Sequence, residues 1–510
     1  MGTNFMNEKK TKIISSERLL QLCVIALLGC MTFLIMMYSK QSPWRKAESW
    51  TDSSVFKYVA LVMSKGGMPY ADAFDHKGPV LYLLNLLGMQ FGYMRGIWLV
   101  EFVWMFGTLA AMYKTARLFC GRVTSCIAVL ISSRWIFDYF QYGNFTEEYA
   151  MFPISVATFI FLDYMLNDKV NRFRVMICGL SFATVFLLRA NMIGLWIAFC
   201  VAVFIKLVVT KEFKKLWEFI LYFVIGMGIL MVPICIWLAV NGAFEEFIQA
   251  YFVFNLTYST ELGGRALTKA KWNSFMHFFN QEIVLWAVMI LLYLCVKGKK
   301  KLVAVTYLSY VFLMFLLMCM SGMQYGHYGM TLVPALIYPV SYLLGEVEDT
   351  YKKKGNPLIL ALVMYFLAAL VMPTWLNACN NAVQVRENQE NSSYTAVVRK
   401  LLTMIDEFTE EDEPISVYGN WNIVYVLSKR TSASVYSYQF PIGTIDTTIM
   451  DRYFEEIRAN NPKMMIIQEG RMTEQMKLFL EEYDYGLYWN EKKDNSGCQV
   501  YIKGLADMQE

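Results

Sequence analysis

The sequence predicts an α-helical polytopic membrane protein with a small α/β domain at its C-terminal end, outside the membrane. Three observations lead there. The chain of 510 residues is 56% hydrophobic and 16% aromatic, with a mean hydropathy of +0.37, which is more apolar surface than a soluble chain could hide. Apolar runs near the ~20 residues that span a hydrocarbon core recur between short basic loops. Beyond Trp375 the pattern changes to one amphipathic helix and several short β-like runs. The net charge of +4 says little about nucleic acid, because the basic residues sit in inter-helix loops, and no nucleic-acid partner is expected.

Topology follows from the excess of Lys and Arg on cytoplasmic loops. Lys9, Lys10, Lys12 and Arg18 keep the N-terminus inside, and residues 19–38 cross outward. That run lacks a small-residue cleavage site and reads as a retained anchor. Residues 39–94 are too polar for clean spans but hold two amphipathic pieces, 53–63 and 79–91, expected as helices at the outer interface. Residues 96–119 cross inward, 123–140 outward and 151–166 inward again. The stretch 175–209 is too long for one span, and "LRAN" interrupts it, so two helices with Arg189 and Asn191 at an outer turn fit best. Residues 219–240 lead out to a large outer loop, 241–280. Spans at 283–296, 302–320, 330–344 and 357–375 complete about eleven, with the N-terminus inside and the C-terminus outside. Every strongly basic loop then lies on the cytoplasmic side.

The expected division is a transmembrane catalytic domain, 1–375, and an extracytoplasmic domain, 376–510. In the latter, "SSYTAVVRKLLTMIDEF" has helical periodicity, and "PISVYG", "PKMMIIQ" and "GCQVYIK" read as strands. Of the eleven cysteines, all but Cys379 and Cys498 lie in or beside apolar runs, where Cys acts as a small hydrophobe. A bridge between these two is one pairing that the sequence allows and does not fix.

With this topology, charged groups that are costly near hydrocarbon gather on the outer side. They are Asp52, then Asp72, Asp75, His76 and Lys77 in "YADAFDHKGP", then Asp138, Glu147 and Glu148, then Arg189, and finally His327 with Tyr328. Each has a plain structural explanation. Asp52 could cap the helix beginning at Ser53, Lys77 could snorkel, and Glu147 and Glu148 could complement a helix dipole. Arg189 is harder to dismiss, because an arginine that interrupts a long apolar stretch pairs or lines a polar cavity. Acids, bases and an arginine converging on one rim suit phosphate and hydroxyl chemistry.

"TDSSVFKYVALVMSKGGMPYADAFDHKGPVLYLL" together with "GNFTEEYAMFP" resembles the membrane glycosyltransferases of the GT-C superfamily. It is similar to the dolichyl-phosphate-mannose protein mannosyltransferases and the aminoarabinose lipid A transferases. The resemblance covers roughly the first 200 residues and returns at "HYGMTLVP". It implies transfer of a sugar from a polyprenyl-phosphate donor to a hydroxyl acceptor, on a cell-envelope glycan, lipid or protein, at the outer membrane face. Asp52 matches the first-loop acid that serves as general base. Lys77 and Arg189 match positions facing the donor phosphate, with His327 and Tyr328 as hydrogen-bond donors to it. Asp72, Asp75, His76, Glu147 and Glu148 are expected to support the substrates. The superfamily divides over metal use, and a divalent cation held by Asp52, Glu147 or Glu148 would be Mg2+ or Mn2+. Direct displacement with inversion is the implied mechanism. The mannosyltransferases carry Asp-Glu where this chain has Asp52-Ser53, and the aminoarabinose transferases carry Lys-Pro-Pro where it has Lys77-Gly78-Pro79. Those departures leave sugar and acceptor open.

Two other classes compete. A transporter or flippase would place ionisable residues near mid-membrane and often shows inverted repeats, neither of which is evident. A lipid-linked glycan polymerase or ligase would use outer-loop Arg and His but gives no reason for an acidic first loop.

Overall fold

The computed structural model describes residues 2–44, 52–168, 171–260, 265–298, 300–384, 393–492 and 497–505. Among these, seven helices are long and apolar enough to cross a membrane. They are Glu17–Met36, Met94–Ala116, Thr146–Asn167, Phe213–Val240, Lys301–Ser321, Gly326–Lys354 and Pro357–Asn381. The helices Thr268–Phe279 and Val284–Lys297, bent by 80°, form an eighth if they are one broken span. The other expected spans are shorter helices, Arg122–Ser133, Arg172–Phe186 and Gly194–Val209. The long run around "LRAN" does split into two helices, with Arg189 in extended conformation between them. The protein is a multi-pass membrane protein.

Met94–Ala116 packs against Thr146–Asn167 and Pro79–Gln90. Phe213–Val240 lies along Arg172–Phe186, and Lys301–Met318 along Gly194–Val209. Phe213–Val240 turns Trp217, Leu221, Val224 and Val232 outward, the pattern of a helix solvated by lipid on one side.

In the first loop, the helix Ser53–Ser64 packs between Pro79–Gln90, which lies on Met94–Ala116, and the helix Asn422–Ser428 of the C-terminal domain. Ser53–Ser64 is covered on every side, with residues Ser53 to Met63 all buried. A helix apolar on nearly all sides is a buried helix, and in "VFKYVALVM" the one charged residue, Lys57, is buried near Glu101. The segment expected as an outer loop, 241–280, is largely helical: Phe244–Ile248, a π-helical turn Gln249–Phe254, Asn255–Thr260 and Arg265–Phe279. Its aromatic residues order it against the first loop, with Phe247 on Tyr70 and Phe254 on Phe74 at centroid distances of 5.4 and 5.5 Å.

The C-terminal domain holds a four-stranded sheet built from β1 (Ser416–Tyr418), β2 (Met464–Gln468), β3 (Tyr485–Glu491) and β4 (Cys498–Lys503) in the order β1-β2-β4-β3. β1 and β2 are parallel and the other pairs antiparallel. The three runs read as strands are β1, β2 and β4, and the amphipathic segment is the helix Ser393–Phe408. β3 escaped the sequence reading because it is an edge strand with an irregular register and mostly accessible side chains. Cys379 and Cys498 are both free thiols.

This domain is joined tightly to the first outer loop. The Phe74 amide donates to the Val435 carbonyl at 2.9 Å, and the Ser432 amide donates to the Tyr58 hydroxyl at 2.9 Å. Tyr58 also packs on Tyr425, and Phe74 on Tyr436. Tyr58→Phe keeps the ring contact but strands the Ser432 amide, which should cost about 1–3 kcal/mol. A lowered melting temperature and faster proteolytic release of the C-terminal domain would register that loss; unchanged values would mean that the ring contact alone holds it.

Candidate functional site

A cavity of about 380 Å³ opens where the first loop and the ends of several helices meet the C-terminal domain. Eight of the eleven residues singled out in the sequence line it: Asp52, Asp75, His76, Lys77, Glu147, Arg189, His327 and Tyr328; Asp72, Asp138 and Glu148 do not. One side is apolar, with Tyr251, Phe254, Leu256 and Met320. The C-terminal domain closes the remaining wall with Asn420, Tyr438, Pro441 and Ile442.

Lys77 reaches the cavity through the residue after it. Gly78 lies so close to Leu187 that a Cβ there would overlap the Leu187 carbonyl. The contact is sealed by the Gly78 amide donating to the Leu188 carbonyl at 3.1 Å and the Val80 amide to the Leu187 carbonyl at 3.2 Å. Pro79, with no amide hydrogen to satisfy, starts the next helix. The Lys-Gly-Pro element is thereby fastened directly beside Arg189. The Lys77 ammonium lies 2.9 Å from His76 Nε2, and His76 Nδ1 lies 2.9 Å from Asn255 Oδ1. Since Asn255 Nδ2 donates to the His76 carbonyl, Oδ1 is the free acceptor. His76 therefore carries its proton on Nδ1 and accepts from Lys77 at Nε2. Burial and the adjacent Lys77 charge push the His76 pKa down to about 3, and burial lowers that of Lys77, opposed by Asp75. Asp75 is itself held by the hydroxyls of Tyr82 at 2.8 Å and Tyr438 at 3.1 Å.

Arg189 forms an ion pair with Glu147 and donates to the Tyr328 hydroxyl at 2.8 Å. Glu147 is almost wholly buried and also accepts from the Thr146 hydroxyl at 2.8 Å. His327 sits between two rings, with Phe145 stacked at 4.4 Å and Tyr325 at 5.6 Å, and its Nδ1 lies 2.7 Å from Gln141 Oε1.

Asp52 precedes Ser53–Ser64 in helical conformation and makes no side-chain capping hydrogen bond. The plain explanation of Asp52 as an N-cap thus has no bond to support it, and the carboxylate stands at the cavity edge. Two expected supports lie elsewhere. Asp72 is exposed and closes a turn by accepting from the Met68 amide at 2.6 Å. Glu148 points away from the cavity toward Glu101 and accepts from the Asn144 amide at 2.6 Å. The residues do not fit the divalent cation considered for Asp52, Glu147 and Glu148. Glu147 is engaged by Arg189, Glu148 faces the opposite way, and no trio of His, Cys, Asp or Glu converges among the described residues. Sequence reasoning missed Asn255, Gln141 and Tyr438, neutral side chains whose role appears only through the groups they hold.

This assembly, with a helical bundle, a first loop bearing the acid and the Lys-Gly-Pro element, and a sheet domain over the cavity, shares its fold with solved GT-C structures. Among solved structures it is similar to ArnT from Cupriavidus metallidurans bound to undecaprenyl phosphate, with a TM-score of 0.61 at 12% identity over 94% of this chain and 97% of that one. The apo state of ArnT from Cupriavidus metallidurans gives 0.57 at 11% identity over the same shares, 94% and 97%. The Archaeoglobus fulgidus oligosaccharyltransferase tethered with an acceptor peptide containing the NVT sequon gives 0.50 at 13% identity, covering 95% of this chain and 74% of that one. No curated protein matches the chain in sequence. Residues 9–374 match the family described as "Putative competence-induced protein Ccs4 N-terminal domain", and the chain belongs to that family.

Two outcomes follow from this geometry. Arg189→Ala leaves Glu147 buried without its partner and should destabilise the fold by about 3–5 kcal/mol. The double variant Arg189→Ala/Glu147→Gln should recover much of that in thermal unfolding. Because the His76 pKa is about 3, below its unfolded value of 6.5, its contribution to stability is complete above pH 6.5 and declines as the pH falls toward 3. ¹⁵N-histidine NMR should find this ring neutral from pH 8 to pH 5.

Proposed function

We propose that this protein is a membrane glycosyltransferase that moves a sugar from a polyprenyl-phosphate donor to a hydroxyl acceptor at the outer face of the cell membrane. The observation that carries the reading is the composition of one cavity. It joins an uncapped carboxylate, Asp52, to the cations Lys77 and Arg189 and to an apolar side suited to a lipid chain. The fold relative crystallised with undecaprenyl phosphate supports the same donor chemistry.

In this reading Asp52 takes the proton of the acceptor hydroxyl as its oxygen attacks C1 of the sugar. The C1–O bond to the phosphate breaks, and its electron pair leaves with the carrier phosphate. Lys77 and Arg189 oppose the charge developing there, and Tyr328 and His327 offer hydrogen bonds to it. One displacement at C1 inverts its configuration. Glu147 orients Arg189, while Asp75 and His76 support Lys77. The C-terminal domain, through Asn420 and Tyr438, shapes the side from which the acceptor arrives, and the N-terminus is cytoplasmic.

Asp52→Asn should reduce transfer by about 10²–10⁴-fold at unchanged melting temperature, because no cap is lost. Lys77→Ala should chiefly weaken use of the lipid-linked donor. Sugar transfer by purified protein from polyprenyl-phosphate donors measures both; near-normal turnover by Asp52→Asn would move the base elsewhere. A reporter fused after Trp375 should read extracytoplasmic and one at Lys299 cytoplasmic, and the reverse result would remove the acidic rim from the outer face.

A further inference from the structure

Four consecutive residues beside the cavity, Gln141, Tyr142, Gly143 and Asn144, have positive φ angles of 41°, 77°, 82° and 62°. Only Gly adopts this region freely and Asn tolerates it, so Gln141 and Tyr142 are each held in a costly conformation. Surrounding contacts maintain the conformation. The Lys40 amide donates to the Tyr142 carbonyl at 3.0 Å, and the Lys40 ammonium lies over the Tyr142 ring at 4.2 Å. The Asn144 amide is fixed by Glu148, which gives that carboxylate a place in the fold although it does not reach the cavity.

The two ends of the loop grip opposite parts of the site. Asn144 Nδ2 donates to Ser53 Oγ at 3.0 Å and to Asn85 Oδ1 at 2.9 Å, and its Oδ1 accepts from Asn85 and Tyr149, both at 3.1 Å. Ser53 Oγ, next in sequence to Asp52, also accepts from Gln41 at 2.8 Å. At the other end, Gln141 Oε1 faces His327 Nδ1 at 2.7 Å. A Cβ at Gly326 would lie 2.8 Å from Gln141 Nε2, so glycine there lets the His327 segment press onto the loop.

We propose that this strained loop is the positioning element of the site. Gln141 holds the proton of His327 on Nδ1 and leaves Nε2 as the nitrogen available to a ligand, while Asn144 fixes the turn that presents Asp52. The kinetic consequences rest on the glycosyl-transfer reading, whereas the tautomer does not.

The test uses the full chain, ¹⁵N-histidine-labelled, in which only three histidines need assignment. Wild-type His327 should carry its proton on Nδ1; Gln141→Ala should redistribute it between the ring nitrogens, and Asn144→Gly should leave it in place. In transfer assays with a polyprenyl-phosphate donor, Gln141→Ala should raise the donor KM by about 3–10-fold, more than it lowers kcat, and Gln141→Glu, which keeps the acceptor oxygen, should restore it. Asn144→Gly relieves the backbone while deleting the amide, and should lower kcat by up to about 10²-fold with the donor KM unchanged. An Asn144→Gly variant as active as wild type would reduce Asn144 to a turn residue and overturn the proposal. So would a His327 ring unprotonated at Nδ1, or one indifferent to Gln141→Ala. Should wild type transfer no sugar at all, the glycosyl-transfer reading falls, and the tautomer measurement alone decides for or against the Gln141 contact.

Discussion

The site depends first on a contact without a side chain: the backbone of Gly78 lying against the carbonyl of Leu187. Two hydrogen bonds seal it, and its effect is to bring two distant parts of the chain to one cavity. Lys77 lies just before it on one strand of chain, and Arg189 just after it on the other. Any side chain at position 78 would push these segments apart. The close approach also explains why a proline follows, since its ring starts a helix at once and returns the chain into the bundle.

Much of this was legible in the sequence because a membrane imposes strong rules. The apolar runs marked the long helices, and an arginine within one such run marked a break that the structure contains at Arg189. The acids were harder to sort. Glu147 and Glu148 are adjacent, and neighbours on a helix point about 100° apart. One therefore meets Arg189 while the other meets Glu101 and Asn144. Only the helix start at Thr146 decides which is which. Gln141, Asn144 and Asn255 carry no charge and repeat no pattern, so nothing in sequence separates them from ordinary loop residues. The aromatic packing that orders the 241–280 region was hidden for a related reason, since its partners lie about 180 positions earlier in the chain.

The C-terminal domain shows how a soluble module can become part of a membrane site. Its small sheet alone would bury little apolar surface. Here it covers a helix buried on all faces, so bundle and module each complete the other's core. Tyr438 spans the seam, bonded to Asp75 on one side and lining the cavity on the other. Stability and the shape of the cavity are therefore coupled through the same few contacts.

The two cations are prepared in opposite ways. Arg189 is matched by a buried carboxylate, so its fork is aimed but its charge is largely cancelled. Lys77 is tethered to a neutral imidazole, which holds the ammonium in place without neutralising it. In the proposed transfer, the leaving phosphate would meet one group that supplies direction and another that supplies field. A ligand that gains negative charge after it has bound benefits most from the second, because a field already in place needs no rearrangement when the charge arrives.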